Sequence, residues 1–443
     1  MKMKSILVNS VAVLMAMALL VGCAQQPAPA PAPAEDGGGT AAGAPAGRDA
    51  PAPADNVHLR FAMWDEIQAP TFQEILDLFM DQHPGITVEL ELTPWTQYWV
   101  RLDAAAGAGD LPDVFWMNVW VPRFADGGVI RPIDDLVARD GIDLAAWSPA
   151  TVGNYTHNNQ LWALPKGHDI VNVYYNRSIF ENYGVQTPQP GWTWADMIDM
   201  GIELRDAMAA SGSGLYPIAM ELDPHPSHFN FILQEGGYIA SPEGTFGWEL
   251  PETTRAIQDI LDLMDMEILP SFAVLSDTRG TDIFLAGRSA MLFAGSWQVP
   301  LIDDASFGPY VGVVQMPRKS VHNYSVLGGL GYVMAADTVD VEAAWLLQQF
   351  LAGYDSNRMQ AQARIEMPAY LAAQHYYLEN FNHVDAQVLL DTAQTAVPFP
   401  RHVRLQEMMG VVNEVMPQVF ARMMTPEEGT SEIQSRWTEI AER

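Results

Sequence analysis

The chain has one cysteine, Cys23, so it cannot form an internal disulfide bond. It is also poor in basic residues, with 23 Lys and Arg against 54 Asp and Glu, and its formal net charge is −31 at pH 7. This balance argues against binding to nucleic acid or to anionic lipid headgroups. After the N-terminal region no apolar run approaches the ~20 residues that a membrane-spanning helix needs. The folded body must therefore depend on its apolar core alone.

The N-terminal residues have the pattern of a secretory signal. Lys2 and Lys4 precede an apolar run, residues 11–21, which is too short to span a bilayer comfortably. The run ends at Leu20-Val21-Gly22-Cys23, which resembles the bacterial lipobox. We therefore expect residues 1–22 to be a signal peptide and Cys23 to become a lipidated N-terminus. Each acyl methylene buried in a membrane contributes roughly 0.8 kcal/mol, so the chain is expected to be anchored outside the bacterial cytoplasm.

A low-complexity segment separates this signal from the body. Residues 23–56 are mostly Ala, Pro and Gly, and they cannot bury an apolar face. We expect a disordered tether that holds the body away from the membrane. The remainder, from residue 57, is too long for one core of typical size, so two lobes are predicted.

Hydrophobic periodicity predicts an α/β fold. Strands are expected at residues 57–64, 86–92 and 114–117, with helices between them. The first of these helices should begin at Thr71, with Glu74 completing a capping box. This β-α-β-α-β order is typical of a parallel sheet covered by helices. Further strands are predicted at residues 161–165, 171–175, 290–293, 311–315 and 331–335, and further helices at 194–208, 252–266, 282–286, 342–353, 405–422 and the C-terminus.

Several short segments are informative through their order and spacing. They are residues 61–65 (FAMWD), 79–88 (FMDQHPGITV), 111–115 (LPDVF), 127–134 (GGVIRPID), 162–165 (WALP), 173–180 (VYYNRSIF), 193–197 (TWADM), 284–291 (FLAGRSAM) and 295–297 (GSW). In this order they resemble the extracellular solute-binding proteins of ABC importers, in the sugar-binding branch that includes maltose-binding protein. The resemblance covers nearly the whole body.

This resemblance implies the two-lobed periplasmic-binding-protein fold. Each lobe would be a mixed, mostly parallel sheet flanked by helices, with the ligand in a cleft between the lobes. On this basis residues 57–117 and 327–377 should form the first lobe, and residues 118–326 and 378–443 the second. The protein would act as a monomer, without a cofactor or bound metal, and would deliver a mono- or oligosaccharide to the permease subunits of an ABC transporter.

The candidate site residues of the first lobe follow predicted strands. A sugar has apolar C–H faces and a rim of hydroxyls, so its site needs flat aromatic rings and fixed polar groups. Trp64 and Asp65 end the first strand; the alternative roles are a core Trp and a helix-capping Asp. Trp116 and Asn118 end the third strand. Relatives often have an acidic residue near position 118, so the Asn leaves the charge and hydroxyl pattern of the ligand open.

Three further candidates lie later in the chain. Asp169 follows a predicted strand, with structural capping as its alternative. Trp297 follows Gly295-Ser296, and the resemblance implies that its ring is a platform under a sugar. Gly329 belongs to a glycine-rich stretch that should line the cleft with backbone.

Other functions remain open from the sequence. The Asp223-Pro224-His225-Pro226-Ser227-His228 segment brings two His and an Asp together, but it lacks the spacing of a known metal motif. A carbohydrate-active enzyme with paired carboxylates is the main alternative. Against it, the chain has no Gly-x-Ser-x-Gly or other catalytic motif. A third alternative keeps the fold but changes the ligand to a polyamine, a peptide or a phosphodiester.

Overall fold

The computed structural model of the protein describes residues 56–241 and 244–443. The predicted signal peptide, the lipidation site at Cys23 and all of the tether except Asn56 lie outside the described residues. None of the helices in the described residues is long and apolar enough to cross a membrane.

The body alternates strands and helices along its length. The strands are β1 (Val57–Met63), β2 (Ile86–Leu92), β3 (Val114–Met117), β4 (Thr156–His157), β5 (Gln160–Leu161), β6 (Ala163–Asp169), β7 (Val171–Asn176), β8 (Tyr216–Met220), β9 (Ser289–Gly295), β10 (Val311–Val314), β11 (Val326–Met334), β12 (Met367–Pro368) and β13 (Val397–Pro398). The helices are α1 (Ala69–Gln82), α2 (Trp95–Ala108), α3 (Val121–Asp126), α4 (Asp134–Asp140), α5 (Pro149–Asn154), α6 (Arg177–Tyr183), α7 (Trp194–Ser211), α8 (His228–Glu235), α9 (Pro251–Asp265), α10 (Phe272–Asp277), α11 (Gly280–Leu285), α12 (Val299–Asp303), α13 (Val341–Ala352), α14 (Tyr354–Gln362), α15 (Gln374–Asn380), α16 (Ala386–Thr395), α17 (Leu405–Phe420) and α18 (Pro426–Ala441).

The first sheet has the strand order β12-β6-β11-β3-β1-β2, and β13 also pairs with β11. β1 is parallel to β2 and to β3, which confirms the predicted β-α-β-α-β arrangement. β11 is antiparallel to both β3 and β6, so β6 runs in the same direction as β3. The carboxyl ends of β1, β3 and β6 therefore lie at one edge of this sheet.

The first helix begins earlier than the sequence predicts. Thr71 lies inside α1, so the predicted capping box of Thr71 and Glu74 is wrong. Gln68 is the N-cap residue and makes no capping bond with its side chain. Instead, Oδ1 of Asp65 accepts hydrogen bonds from the backbone N–H groups of Ile67 (2.8 Å) and Gln68 (3.3 Å). The polar end of β1 thus supplies the hydrogen bonds that a capping box would have supplied.

The second sheet has the strand order β10-β7-β9-β8. β7 is antiparallel to β9 and β10, whereas β8 is parallel to β9. Side chains of β7 point to both faces of this sheet. Val171 and Val173 pack in a core with residues of α17 and α18, whereas Tyr174 packs in a separate, third apolar cluster on the opposite face. Because both faces of the sheet are covered, its strands are mostly apolar.

The chain passes from the first sheet to the second through one residue. Ile170 is the single residue between β6 of the first sheet and β7 of the second. The N–H of Ser296 donates to the carbonyl of Ile170 (2.8 Å), and Oγ of Ser325, just before β11, accepts from the N–H of Val171 (2.7 Å). The connection is therefore short and hydrogen-bonded on both sides.

The expected boundary between the lobes differs from the observed packing. Residues 118–169 were expected in the second lobe, but α3, β5 and β6 contribute Val121, Leu161 and Leu164 to the first core. The reason is that β6 pairs with β11 in the first sheet, so the chain leaves this sheet only at Ile170.

Candidate ligand-binding site

The polar edges of the two sheets meet at the crossing strands. Gly295, the last residue of β9, pairs with Val171, the first residue of β7. Since only Ile170 separates β7 from β6, the carboxyl end of β9 lies beside the carboxyl end of β6. In open α/β sheets ligands bind outside the carboxyl ends of the strands. The space around this junction, the cleft, is therefore the candidate ligand-binding site.

The first-lobe side of the cleft is rich in aromatic rings. The ring of Trp64 lies 5.1 Å from that of Trp95, 5.0 Å from that of Tyr98 and 5.0 Å from that of Trp116, measured between centroids. Trp64 is partly exposed, as predicted for a ligand-contacting ring. Trp116 is 0% exposed and makes an edge contact with Trp64. Of the two alternatives at the end of β3, Trp116 thus supports Trp64 and cannot itself reach a ligand in this conformation.

Two rings on this side, Trp95 and Trp120, were not predicted from the sequence. Trp95 follows β2 and is 46% exposed, and Trp120 is partly exposed with its centroid 6.0 Å from that of Trp95. Trp120 also packs against Trp99 at 4.2 Å. The rule that placed Trp64 applies equally to Trp95, because both follow a parallel strand of the same sheet. The same reasoning for β2 would have predicted Trp95 as a candidate.

Asn118 is partly exposed at the end of β3. Its Oδ1 accepts a hydrogen bond from the backbone N–H of Trp120 at 3.0 Å. The Asn118 side chain therefore holds the turn that presents Trp120, and its amide Nδ2 makes no hydrogen bond with the described residues.

Asp169 occupies the junction itself, at the end of β6. It is partly exposed, and its carboxylate makes no hydrogen bond or ion pair with any residue of 56–241 or 244–443. Burial raises the pKa of Asp169 to about 8, the carboxylates of Glu366 and Asp65 add to the rise, and Lys166 opposes it. A carboxyl group without a protein partner is free to hydrogen-bond a ligand.

Trp297 forms the second-lobe side of the cleft. Its ring lies against Gly295, where any Cβ atom would overlap the ring. The ring is partly exposed, and its centroid is 5.2 Å from that of His225. Gly295 is thus the residue on which the indole rests.

His225 is a second residue whose role the sequence did not reveal. Its Nε2 lies 3.2 Å from the carbonyl oxygen of Val326, and its ring packs 5.4 Å from that of Phe399. Burial lowers the pKa of His225 to about 4, which keeps the imidazole neutral. His225 therefore joins the loop before α8 to the start of β11 and to the Trp297 platform.

The other histidine of this loop points elsewhere. His228 is fully buried in α8, with Nδ1 3.2 Å from Oγ of Ser227 and its ring against Phe229. No group of three or more His, Cys, Asp or Glu side chains that could hold a metal ion occurs within the described part of the chain. The two histidines thus have separate surroundings, one at the cleft and one in the core.

Gly329 lies within β11, opposite His168 of β6. Its φ of +148° is a conformation that other residues rarely adopt, and a Cβ atom there would lie 2.7 Å from the carbonyl oxygen of Gly167. Its neighbour Gly328 faces Asp169 and His225 more directly, since a Cβ on Gly328 would lie 2.7 Å from Cε1 of His225. Gly329 is therefore needed for strand geometry beside the cleft.

A two-lobed α/β body with polar strand ends facing a shared junction defines a ligand-capturing protein. The comparison with protein families agrees with this class. The chain belongs to the bacterial extracellular solute-binding protein family, whose model matches residues 64–357. This is a family of binding proteins, not of catalysts.

Similar proteins include a maltotriose-binding protein of Pyrococcus abyssi, which is 25% identical over 298 residues, covering 65% of this chain and 61% of that protein. An ABC substrate-binding protein of Listeria monocytogenes, solved in complex with cycloalternan, superposes with a TM-score of 0.80 at 19% identity, covering 87% of this chain and 99% of that one. A maltose-bound protein of T. maritima gives a TM-score of 0.75 at 22% identity, covering 87% and 100%. These likenesses confirm the predicted two-lobed α/β fold.

Proposed function

We propose that this protein captures a carbohydrate between its two lobes and delivers it to the permease of an ABC importer. The proposal rests on two partly exposed indoles, Trp64 after β1 and Trp297 after β9, and on the carboxyl group of Asp169, which has no hydrogen-bond partner among the described residues. The similar proteins support it, since their names and titles describe binding of maltotriose, cycloalternan and maltose.

The chemistry of these groups suits a sugar. Indole faces pack against the C–H faces of a pyranose ring, and such aromatic contacts contribute roughly 1 kcal/mol beyond area burial. The carboxyl group of Asp169, whose pKa is raised to about 8, holds its proton at neutral pH and can both donate to and accept from ring hydroxyls. A sugar with the wrong hydroxyl pattern would leave a buried polar group unpaired, which costs about 1–3 kcal/mol. Binding therefore needs closure around the ligand and no covalent step.

The aromatic surface favours an oligosaccharide over a single sugar. Trp64, Trp95 and Trp120 follow one another at centroid spacings of 5.1 and 6.0 Å along the first lobe. We infer that one sugar unit lies between Trp64 and Trp297, and that further units lie on Trp95 and Trp120.

A calorimetric titration of the purified protein tests this function. Maltose, maltotriose and cycloalternan are titrated beside a polyamine, a peptide and a phosphodiester. At a hundredfold excess over Kd, a ligand that binds only the folded state raises the unfolding free energy by about 2.7 kcal/mol, so thermal shift gives an independent readout. Binding of only a non-sugar solute would refute the carbohydrate proposal. Chemical conversion of a bound saccharide would make the protein an enzyme.

We also propose that Cys23 carries a lipid that anchors the protein on the outer side of the cytoplasmic membrane or on the cell surface. The support is the Leu20-Val21-Gly22-Cys23 pattern after a short apolar run. Cys23→Ser should release the protein from the membrane fraction or leave its precursor uncleaved. A processed Cys23→Ser protein that fractionates with membranes as the wild type does would refute the anchor.

A further inference from the structure

A lysine lies fully buried beneath the first-lobe side of the cleft. The side chain of Lys166, in β6, is 0% exposed and forms an ion pair with Glu366, just before β12. Burying a charge is costly unless it is paired and hydrogen-bonded, and a buried pair is weak evidence for a purely stabilising role. The remaining contacts of Lys166 indicate another role.

Besides lying 5.6 Å from the ring centroid of Phe72, Nζ of Lys166 has two contacts that lead to proposed ligand-binding residues. Its Nζ donates to Oε1 of Gln68 at 3.0 Å, and Nε2 of the same Gln68 donates to Oδ2 of Asp65 at 3.2 Å. Glu366, Lys166, Gln68 and Asp65 thus form a continuous hydrogen-bonded row. Because Lys166 occupies Oε1, the orientation of the Gln68 amide is fixed, and its N–H points at Asp65.

The second contact is with the aromatic cluster. Nζ of Lys166 lies 4.6 Å from the ring centroid of Trp116, and Trp116 in turn makes an edge contact with Trp64 at 5.0 Å. A cation over an indole face is an attractive arrangement. The buried ammonium therefore lies behind both Trp64 and Asp65.

We propose that Lys166, Glu366 and Gln68 are positioning residues that hold Asp65 and Trp64 in the orientation that binds the ligand. Asp65 shows why this matters: its Oδ1 already accepts from two backbone N–H groups. The Gln68 amide fixes the other oxygen, so the carboxylate presents only its remaining lone-pair direction to the cleft. This inference deepens the proposed function and rests on it where affinity is measured.

The Gln68→Glu substitution separates this role from a general structural one. The new carboxylate still accepts from Lys166, but it repels Asp65 instead of donating to it. At low pH the two carboxyl groups share a proton, because neighbouring like charges raise the upper pKa of the pair. The shared proton restores a hydrogen bond to Asp65. We therefore expect the ratio of Kd values for maltotriose, variant over wild type, to be at least tenfold at pH 7.5 and to fall below threefold near pH 4.5.

The matched control is Gln73→Glu. Gln73 also donates its Nε2 hydrogen to an Asp, Oδ1 of Asp77 at 2.9 Å, but on the exposed face of α1. This control should leave the Kd ratio near one at both pH values. A Gln68→Glu ratio near one at pH 7.5, or a raised ratio that does not change with pH, would overturn the proposal.

A second variant covers the case in which Gln68→Glu does not fold. Lys166→Met combined with Glu366→Met removes both buried charges, and apolar replacements of this kind are often neutral for stability. We expect a folded double variant that binds maltotriose at least fivefold more weakly. Wild-type affinity in the folded double variant would refute the positioning role.

A readout without ligand distinguishes this proposal from the proposed function. Crystal structures of ligand-free wild type and a ligand-free folded variant should show the Asp65 carboxylate held by Gln68 in the former and reoriented in the latter. If the wild type binds no saccharide, the carbohydrate proposal fails while this comparison still tests the row. An unchanged Asp65 conformation in the variant would overturn the positioning role.

Discussion

The indole ring of Trp297 rests on the Cα atom of Gly295, two residues earlier in the chain. The missing side chain at Gly295 is what allows the ring to lie flat at the end of β9. The platform is therefore specified by two residues together, and each can be tested separately.

Trp297→Ala should weaken saccharide binding at least tenfold, which corresponds to about 1.4 kcal/mol or more, because both the apolar area and the aromatic contact are lost. Calorimetry measures the affinity, and circular dichroism checks the fold. Wild-type affinity in a folded variant would remove Trp297 from the site.

Gly295→Ala keeps the Trp297 side chain but should also weaken binding, because the new Cβ would push the ring out of its position. Gly410→Ala is a suitable control, since a Cβ there meets no atom within 4 Å. Equal affinities of the two alanine variants would show that the position of the ring is unimportant.

Asp169→Asn should strengthen the fold while weakening binding. Because burial raises the pKa of Asp169 to about 8, the folded protein holds a proton that the unfolded chain, with a pKa near 3.8, releases. The contribution of Asp169 to the unfolding free energy therefore falls as the pH rises from about 4 to about 8. The Asn variant lacks this loss and should be more stable at pH 8 by ~1 kcal/mol. Urea unfolding from pH 5 to pH 9 measures it, and a less stable variant at pH 8 would contradict the assignment.

Gly329→Ala should destabilise the protein by roughly 1–3 kcal/mol, because the φ of +148° and the nearby carbonyl of Gly167 both oppose a side chain. Denaturant unfolding checks this, with Gly410→Ala again as the control. A loss no larger than that of the control would show that β11 adapts without strain.

His228→Leu should reduce the sensitivity of the fold to acid. Burial lowers the pKa of His228 to about 3, so below pH 6.5 the unfolded chain binds a proton that the folded chain excludes. Stability is therefore lost as the pH falls from 6.5 toward 3, by roughly 2 kcal/mol at pH 5 for this one residue. The change in unfolding free energy between pH 7 and pH 5 should shrink by about that amount in the variant. His375→Leu, at an exposed position, controls for the loss of an imidazole.

Local patterns predicted the first half of the body well because each of its elements has its own periodicity. β3 is observed at residues 114–117, as predicted, and β2 at residues 86–92. The start of α1 was missed because its hydrogen-bond acceptor, Asp65, precedes the helix by several residues. The sheet to which β6 belongs could not be read from its sequence, since this depends on its pairing with β11, far away in the chain.

The candidate site was predicted in the same uneven way. Trp64 was predicted because it follows a strand, and Trp297 because of the resemblance to sugar-binding proteins; both are partly exposed, whereas Trp116, predicted with them, is fully buried. Trp116 lies within a strand covered on both faces, and that covering is a tertiary property. The row from Glu366 to Asp65 joins residues far apart in the chain, and nothing near any one of them in the sequence indicates the others.

The third core cluster should make the two lobes unfold together on heating. It combines Met367 and Leu327, from strands of the first sheet, with Tyr174 and Leu292 of the second. Neither lobe can lose its packing without exposing apolar surface that belongs to the other. The body should therefore melt as one cooperative unit, and calorimetry should record a single heat-absorption peak whose calorimetric and van't Hoff enthalpies agree.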